Sequence, residues 1–164
     1  MPDNLKYRCH QCRKPFPTTN EESVASVREW VVKGKAWAQH MTATWYRDGD
    51  KGLKQSYVMA VMLLEKAVAQ GDSDAMDTLA WFYQTGRGVM QSHEKVFELF
   101  TMAAEQGHLV AMYSLACVYQ LGHGVEQSYT KAVELYTMAI EQGHLDAMYS
   151  LACVYQLGHG VEQS

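Results

Sequence analysis

The chain has 164 residues, 48% of them hydrophobic and 20% charged, with a formal net charge of −4. That is the balance of a folded globular chain, not of a disordered one, and a mildly acidic chain lacks the basic face that nucleic acid or an anionic membrane requires. No apolar run reaches membrane-spanning length, and the opening MPDNLKYRCHQC has no apolar stretch of the signal-peptide kind. The expected compartment is therefore the cytoplasm or the nucleus, where Cys9, Cys12, Cys117 and Cys153 stay reduced.

Residues 1–19 read as a short irregular tail that holds all three prolines and the pair Cys9-His10-Gln11-Cys12. In a reducing compartment so close a pair points to metal, and no βαβ pattern surrounds it to favour a redox role. Structural zinc takes four ligands in a tetrahedron, so Cys9 and Cys12 make an incomplete zinc site that binds weakly or closes only across two chains. Next, Thr19-Asn20-Glu21-Glu22 has the pattern of a capping box and opens a helix through Val24, Val27, Trp30 and Val31. Residues 20–33 are expected to be an N-terminal capping helix.

From residue 34 the glycines fall into three families: Gly34, Gly71, Gly107 and Gly143; Gly49, Gly86, Gly122 and Gly158; Gly52, Gly88, Gly124 and Gly160. Each family recurs every 36 or 37 residues, a period that marks a solenoid of stacked supersecondary units. The expected units are 34–70, 71–106, 107–142 and a truncated 143–164. Within one unit Ala111, Leu115 and Tyr119 form a helical stripe, Gly122–Val125 a turn, and Ser128 the N-cap of a second helix. That second helix buries Ala132, Leu135, Tyr136 and Ala139 and ends at Gly143. The count comes to eight helices in an all-α solenoid of helix–turn–helix repeats.

The pattern Ala111-x-x-x-Leu115-Ala116-x-x-Tyr119-x-x-Gly122-x-Gly124-Val125, then Lys131-Ala132, Tyr136, Ala139 and Gly143, closely resembles the Sel-one-like repeat (SLR) family. These are relatives of tetratricopeptide repeats (TPR). The resemblance runs from about Gly34 onward, with Ala80, Ala116 and Ala152 where the family often has glycine. It implies a right-handed superhelical scaffold that binds other proteins on its concave face and is not a catalyst. The head of the chain resembles the last C-x-x-C pair of a RING-type zinc finger, continued here by Arg13 and Pro15. Some eukaryotic proteins place such a finger directly before Sel-one-like repeats. The alternative function is then a fragment of a RING-type ubiquitin ligase whose repeats recruit substrate; the other six ligand positions of a RING are absent from this chain.

Residues 137–164 match 101–128 except at Ile140 for Ala104 and Asp146 for Val110. The chain reaches Ser164 where a further second helix would start. That suggests a fragment, or a short product whose last helix, about 145–157, finds a partner elsewhere, self-association included. With Ala111, Leu115 and Tyr119 inward, three ladders point the other way: His40, Asp77, Tyr113 and Tyr149; Thr44, Trp81, Cys117 and Cys153; Arg47, Gln84, Gln120 and Gln156. Trp81, Tyr113 and Tyr149, with Arg47, Gln84 and Gln120, are the candidate partner contacts, since aromatic residues supply much interface energy. The competing reading packs these rings on neighbouring helices. Cys117 and Cys153 stand one repeat apart, too far for a disulfide between packed first helices. His108 and His144 are expected at the surface, and Met76, Met112 and Met148 in core gaps. No catalytic residue emerges: paired carboxylates, a phosphate-cradling glycine loop after a strand, and a nucleophile–base pair are all missing. The repeats are expected to need no cofactor.

Overall fold

Eight α-helices, and no strands, are formed by residues 19–158, the part of the chain that the computed structural model describes. They are α1 (Asn20–Val32), α2 (Ala36–Asp48), α3 (Tyr57–Val68), α4 (Ser73–Thr85), α5 (His93–Glu105), α6 (Leu109–Leu121), α7 (Tyr129–Glu141) and α8 (Leu145–Gln156). Each helix packs on the next in the chain. The pairs α2–α3, α4–α5 and α6–α7 are the repeat units, and α3–α4, α5–α6 and α7–α8 are the joints between them. The fold is an all-α repeat array, as the glycine period predicts.

The helix starts are set by side chains at repeat spacing. Ser56, Ser92 and Ser128 cap α3, α5 and α7, each hydroxyl accepting from the backbone N–H three residues on. Thr19 does the same for α1. Each such cap satisfies a donor that the helix itself leaves unpaired. The residue before each cap serine is a glutamine whose amide donates back to the first helix of the unit: Gln55 to Arg47 O at 2.8 Å, Gln91 to Gln84 O at 2.8 Å, Gln127 to Gln120 O at 2.7 Å. The Gln-Ser pair thus ties off the C-terminal carbonyls of one helix while opening the next.

Small residues let the helices approach. Ala75, Ala80, Ala111, Ala116, Ala132 and Ala139 are completely buried, with Leu64, Leu79, Phe82, Val96 and Tyr136 filling the space between. At one register of the array the second helix reaches back to the first: Gln70 donates to Gln39, and Gln106 and Gln142 lie against the sulfurs of Met76 and Met112. The polar Gln39 is buried without cost because that amide partner reaches it.

Gly88 and Gly124 show why the third glycine family exists. Gly88 holds φ +71°, and a Cβ there would lie 2.6 Å from the carbonyl carbon of Tyr57 at the start of α3. A Cβ on Gly124 would overlap the backbone of His93 at the start of α5 in the same way. The loops after α4 and α6 therefore sit directly on α3 and α5, the second helices of the preceding units, whereas a Cβ on Gly52, in the loop after α2, would meet nothing within 4 Å. The one-residue insertion between Gly49 and Gly52 is absorbed by Lys51, whose φ of +54° is the single positive value outside glycine among the described residues.

The duplicated segment places identical residues in unlike surroundings. Met112 is 5% exposed in α6, whereas its copy Met148 is 54% exposed in α8. Leu115 and Ala116 are buried, whereas Leu151 is half-buried and Ala152 exposed. The α6 face is covered by its neighbours α5 and α7, and the described residues supply α8 with a neighbour on one side only.

Candidate functional site: a cleft between first helices

Where α2 meets α4, the first-helix side of the array opens into a cleft of about 500 Å³ lined by Arg47, Asp48, Gln55, Tyr57, Asp77, Thr78, Trp81 and Arg87. The last turn of α2 supplies Arg47, whose Nε and Nη2 donate to the two carboxylate oxygens of Asp48, each at 2.8 Å. That fork raises the guanidinium pKa and lowers that of the Asp48 carboxyl. Trp81, on the second turn from the end of α4, meets Phe82 edge-on with ring centroids 5.0 Å apart. The loop after α4 brings Arg87 over two rings at once, 5.2 Å from Trp81 and 5.4 Å from Tyr57, with Nη1 3.3 Å from the Tyr57 hydroxyl. A guanidinium held between two aromatic faces is attracted by both ring quadrupoles. The close approach of Gly88 to Tyr57 is what brings Arg87 there.

Beyond Thr78 the wall turns polar and acidic. The Thr78 hydroxyl donates to Asp74 O at 2.9 Å, so at its 3.1 Å contact with His40 Nε2 it accepts, and the imidazole of α2 is held against α4. Asp72 caps α4, taking the Ala75 N–H on Oδ1 at 2.8 Å. From the other side, His108 caps α6 by accepting the Ala111 N–H on Nδ1 at 3.1 Å. Its proton is therefore on Nε2, which donates to Asp74 Oδ1 at 2.9 Å. One ligand-capable atom from each of His40, Asp72 and Asp74 lies within 4.8 Å of the others. Burial pushes the Asp77 carboxyl upward, against the pull of His108 and His40.

The structure distributes the sequence-derived candidates unevenly. Arg47 and Trp81 meet in the cleft. Tyr113 follows the competing reading: its ring stacks on His144 at 4.6 Å and 16°, lies 5.8 Å from Tyr136, and its hydroxyl is 3.4 Å from Ser150 of α8. Tyr149, at the next position of that ladder, is 75% exposed. Gln84 is exposed, while the Gln120 side chain accepts from the Tyr136 hydroxyl at 2.7 Å and is half-buried. Cys117 and Cys153 are free thiols, and Cys117 Sγ lies 3.2 Å from the Tyr136 hydroxyl. Because that hydroxyl gives its proton to Gln120, the thiol is the donor. Cys9 and Cys12 lie outside the described residues.

Two expectations need correcting. His108 is no surface residue: it caps a helix and pairs with Asp74, with 17% of its side chain exposed. His144 is half-buried under Tyr113, with Nδ1 buried and unpaired. Met148 likewise fills no core gap, because nothing described covers its face. Tyr57, Arg87, His40, Asp72 and Asp74 were not singled out from the sequence as site residues.

Helix pairs stacked at a fixed period, each joined to the next through its first helix, define an α-solenoid repeat protein. The Sel1 repeat profile matches residues 38–72, 73–108, 109–144 and 145–164. The chain belongs to the Sel1 repeat family. Among solved structures it is similar to a protective antigen of uropathogenic Escherichia coli strains displaying an SLR fold, at a TM-score of 0.86 and 29% identity over 92% of this chain and 32% of that one. A Sel1 repeat protein of Oxalobacter formigenes gives a TM-score of 0.80 at 24% identity, over 88% of this chain and 59% of that one. Helicobacter pylori cysteine rich protein B gives 0.65 at 18% identity, over 82% and 98%. The chain thus spans about a third of the first of these proteins and 59% of the second. Curated protein sequences yield no significant match. No described helix is long and apolar enough to cross a membrane.

Proposed function

We propose that the chain is a non-catalytic scaffold that holds a segment of another protein against its first-helix, concave side, in the cytoplasm or nucleus. The observation that carries this reading is the cleft in which Trp81, Tyr57 and Arg87 converge beside Arg47. Tryptophan, tyrosine and arginine are the residues most enriched at the energetic centres of interfaces. Trp81 and Tyr57 stand on helices fixed by buried alanines, and Arg87 is held from the adjoining loop by its contacts with both rings, so little ordering is required on binding.

The test uses peptides selected from a displayed random library against the full chain. Trp81→Ala and Arg87→Ala, each checked for unchanged helicity, are expected to weaken the selected peptides by at least about 2 kcal/mol. Tyr149→Ala, which alters an exposed ring outside the cleft, should leave them unchanged. Selected peptides indifferent to Trp81 and Arg87 would refute the assignment.

A second reading is favoured by Cys9-His10-Gln11-Cys12 with Arg13 and Pro15: the chain is the substrate-recruiting arm of a longer RING-type ubiquitin ligase, with zinc at Cys9 and Cys12. Two thiolates leave that zinc half coordinated, so the chain alone would show no ubiquitin transfer. Ubiquitin chains formed by this chain with a panel of conjugating enzymes would overturn that expectation. The exposed Leu145, Met148, Tyr149 and Leu157 of α8 support self-association through the last repeat, which sedimentation across a concentration series measures.

A further inference from the structure

From the side chains that meet at the N-terminal end of α4, we propose that His40, Asp72 and Asp74 bind a divalent metal ion of the zinc class at the junction between the first two repeats. Three observations carry it. The donor set is mixed and comes from two helices: an imidazole from α2 and two carboxylates from the start of α4, with one ligand atom of each already within 4.8 Å of the others. Imidazole with carboxylate is a donor set suited to zinc and its neighbours, and the two carboxylates neutralise a dication. Last, the shell around these donors is built. Thr78, committed as a donor to Asp74 O, holds the His40 ring against α4, and His108 donates Nε2–H to Asp74 from α6.

That last contact has the form of an outer-shell bond that orients a metal-binding carboxylate. Tautomer and orientation of His108 are fixed by its capping bond to Ala111 and need no metal to arise. The Asp72 cap uses Oδ1, which leaves Oδ2 for an ion. Asp74, with 70% of its side chain exposed, has the freedom to bring separations that are all within 4.8 Å down to the roughly 3.3 Å between ligands 2.0–2.1 Å from a tetrahedral ion. The positive end of the α4 dipole opposes a cation, but it amounts to about half a charge, against two ligating carboxylates with Asp77 beside them. Water completes the coordination.

An ion here ties the first helix of one repeat to the start of the next. Thr78 lines the neighbouring cleft as well, so the ion fixes one wall of it. The proposal does not rest on the partner-binding reading.

The test removes the other thiolate site first. The full chain carrying Cys9→Ser and Cys12→Ser, free of any histidine tag, is titrated with Zn²⁺ and followed by calorimetry and native mass spectrometry. One zinc per chain is expected, with a rise in the thermal midpoint and a shift of the His40 imidazole resonances that spares His123. His40→Gln and Asp74→Asn should each abolish the uptake or weaken it at least tenfold. Asp72→Asn should weaken it too while keeping the fold, because asparagine caps a helix as well as aspartate. His108 is a positioning residue: His108→Asn, which retains a capping acceptor, should lower affinity about tenfold with the stoichiometry unchanged. No zinc taken up in the Cys9→Ser, Cys12→Ser chain, or uptake indifferent to His40→Gln and Asp74→Asn, overturns the proposal.

Discussion

Replacing Gly88 by alanine separates two roles that glycine plays in this array. At φ +71° any L-residue is strained, at a cost of about 1–2 kcal/mol. The new methyl would also stand 2.6 Å from Tyr57 C and 2.8 Å from Tyr57 O and Cβ. Two of these atoms are backbone at the first residue of α3, so relief requires moving the α4–α5 loop or the helix start. Forcing a methylene into a packed site costs about 1–3 kcal/mol more. Gly88→Ala should therefore destabilise by about 2–5 kcal/mol in total. Gly107 supplies the control: its φ is +81°, yet nothing lies within 4 Å of its Cβ position. Gly107→Ala should cost only the conformational share, about 1–2 kcal/mol. Urea denaturation followed by circular dichroism measures both, and hydrogen exchange should localise the Gly88 effect to α3 and α4. Equal losses for the two variants, within about 0.5 kcal/mol, would show that the loop does not bear on Tyr57, and would remove the account of how Arg87 reaches its two rings.

The duplication provides a second controlled comparison, since Met112 and Met148 share a sequence context and differ in cover. Met112→Ala should cost about 2–5 kcal/mol, and Met148→Ala less than about 1 kcal/mol, in thermal or urea denaturation at low protein concentration. A large cost at Met148 would mean that the α8 face is covered in solution. Titration gives the third prediction. Burial raises the Asp77 carboxyl above its ordinary value, so the folded chain holds that proton more tightly than the unfolded one. The associated stability is complete below the ordinary value of about 3.9 and disappears as pH rises through the raised one. Asp77→Asn keeps a neutral side chain throughout, so its melting temperature should gain on the wild type between about pH 3 and neutrality. A wild-type advantage that grows with pH would show that the imidazoles of His40 and His108 outweigh the burial.

The frame of the fold was legible because glycine and alanine act locally. A turn glycine is dictated by its own φ, an alanine by the approach of the helix beside it, and Ser128 by the four N–H groups just after it. The contents of the cleft were not legible in that way. His108 was expected at the surface because no carboxylate or cysteine is held at ligand spacing beside it, yet its partner Asp74 lies 34 residues back. His40 reaches Thr78 across 38 residues and Tyr113 reaches Ser150 across 37. In a solenoid one period of sequence is one step of space, so residues about 34–38 apart on first helices are neighbours. Pairing each polar residue with those one period away would have brought out His40 with Asp74, and Asp74 with His108, while Asp72, 32 residues from His40, falls just short of that window. Tyr57 and Arg87, 30 residues apart, fall outside that window because the contact runs from a loop to the helix start it rests on.

The same offset shows that the three joints between first helices are not equivalent, although the frame repeats. The α2–α4 and α4–α6 joints are polar, built on His40 with Thr78 and on Asp74 with His108. The α6–α8 joint is aromatic, built on Tyr113 stacked over His144. Two positions differ between them. Where α4 presents Asp74 and Asp77, α6 presents Val110 and Tyr113, so the carboxylate that meets His108 has no counterpart there and the Tyr113 ring stacks on His144, whose Nδ1 is unpaired. Duplication of residues 101–128 copied the aromatic version of the joint together with the alanines and glycines that shape it. The groups proposed to bind an ion and a partner segment are therefore concentrated around α4, flanked on both sides by histidines, while the copied units repeat the frame. On the proposed reading, selectivity resides in the few ladder positions that drift, and a substitution there should change what binds without touching the glycines and alanines of the frame.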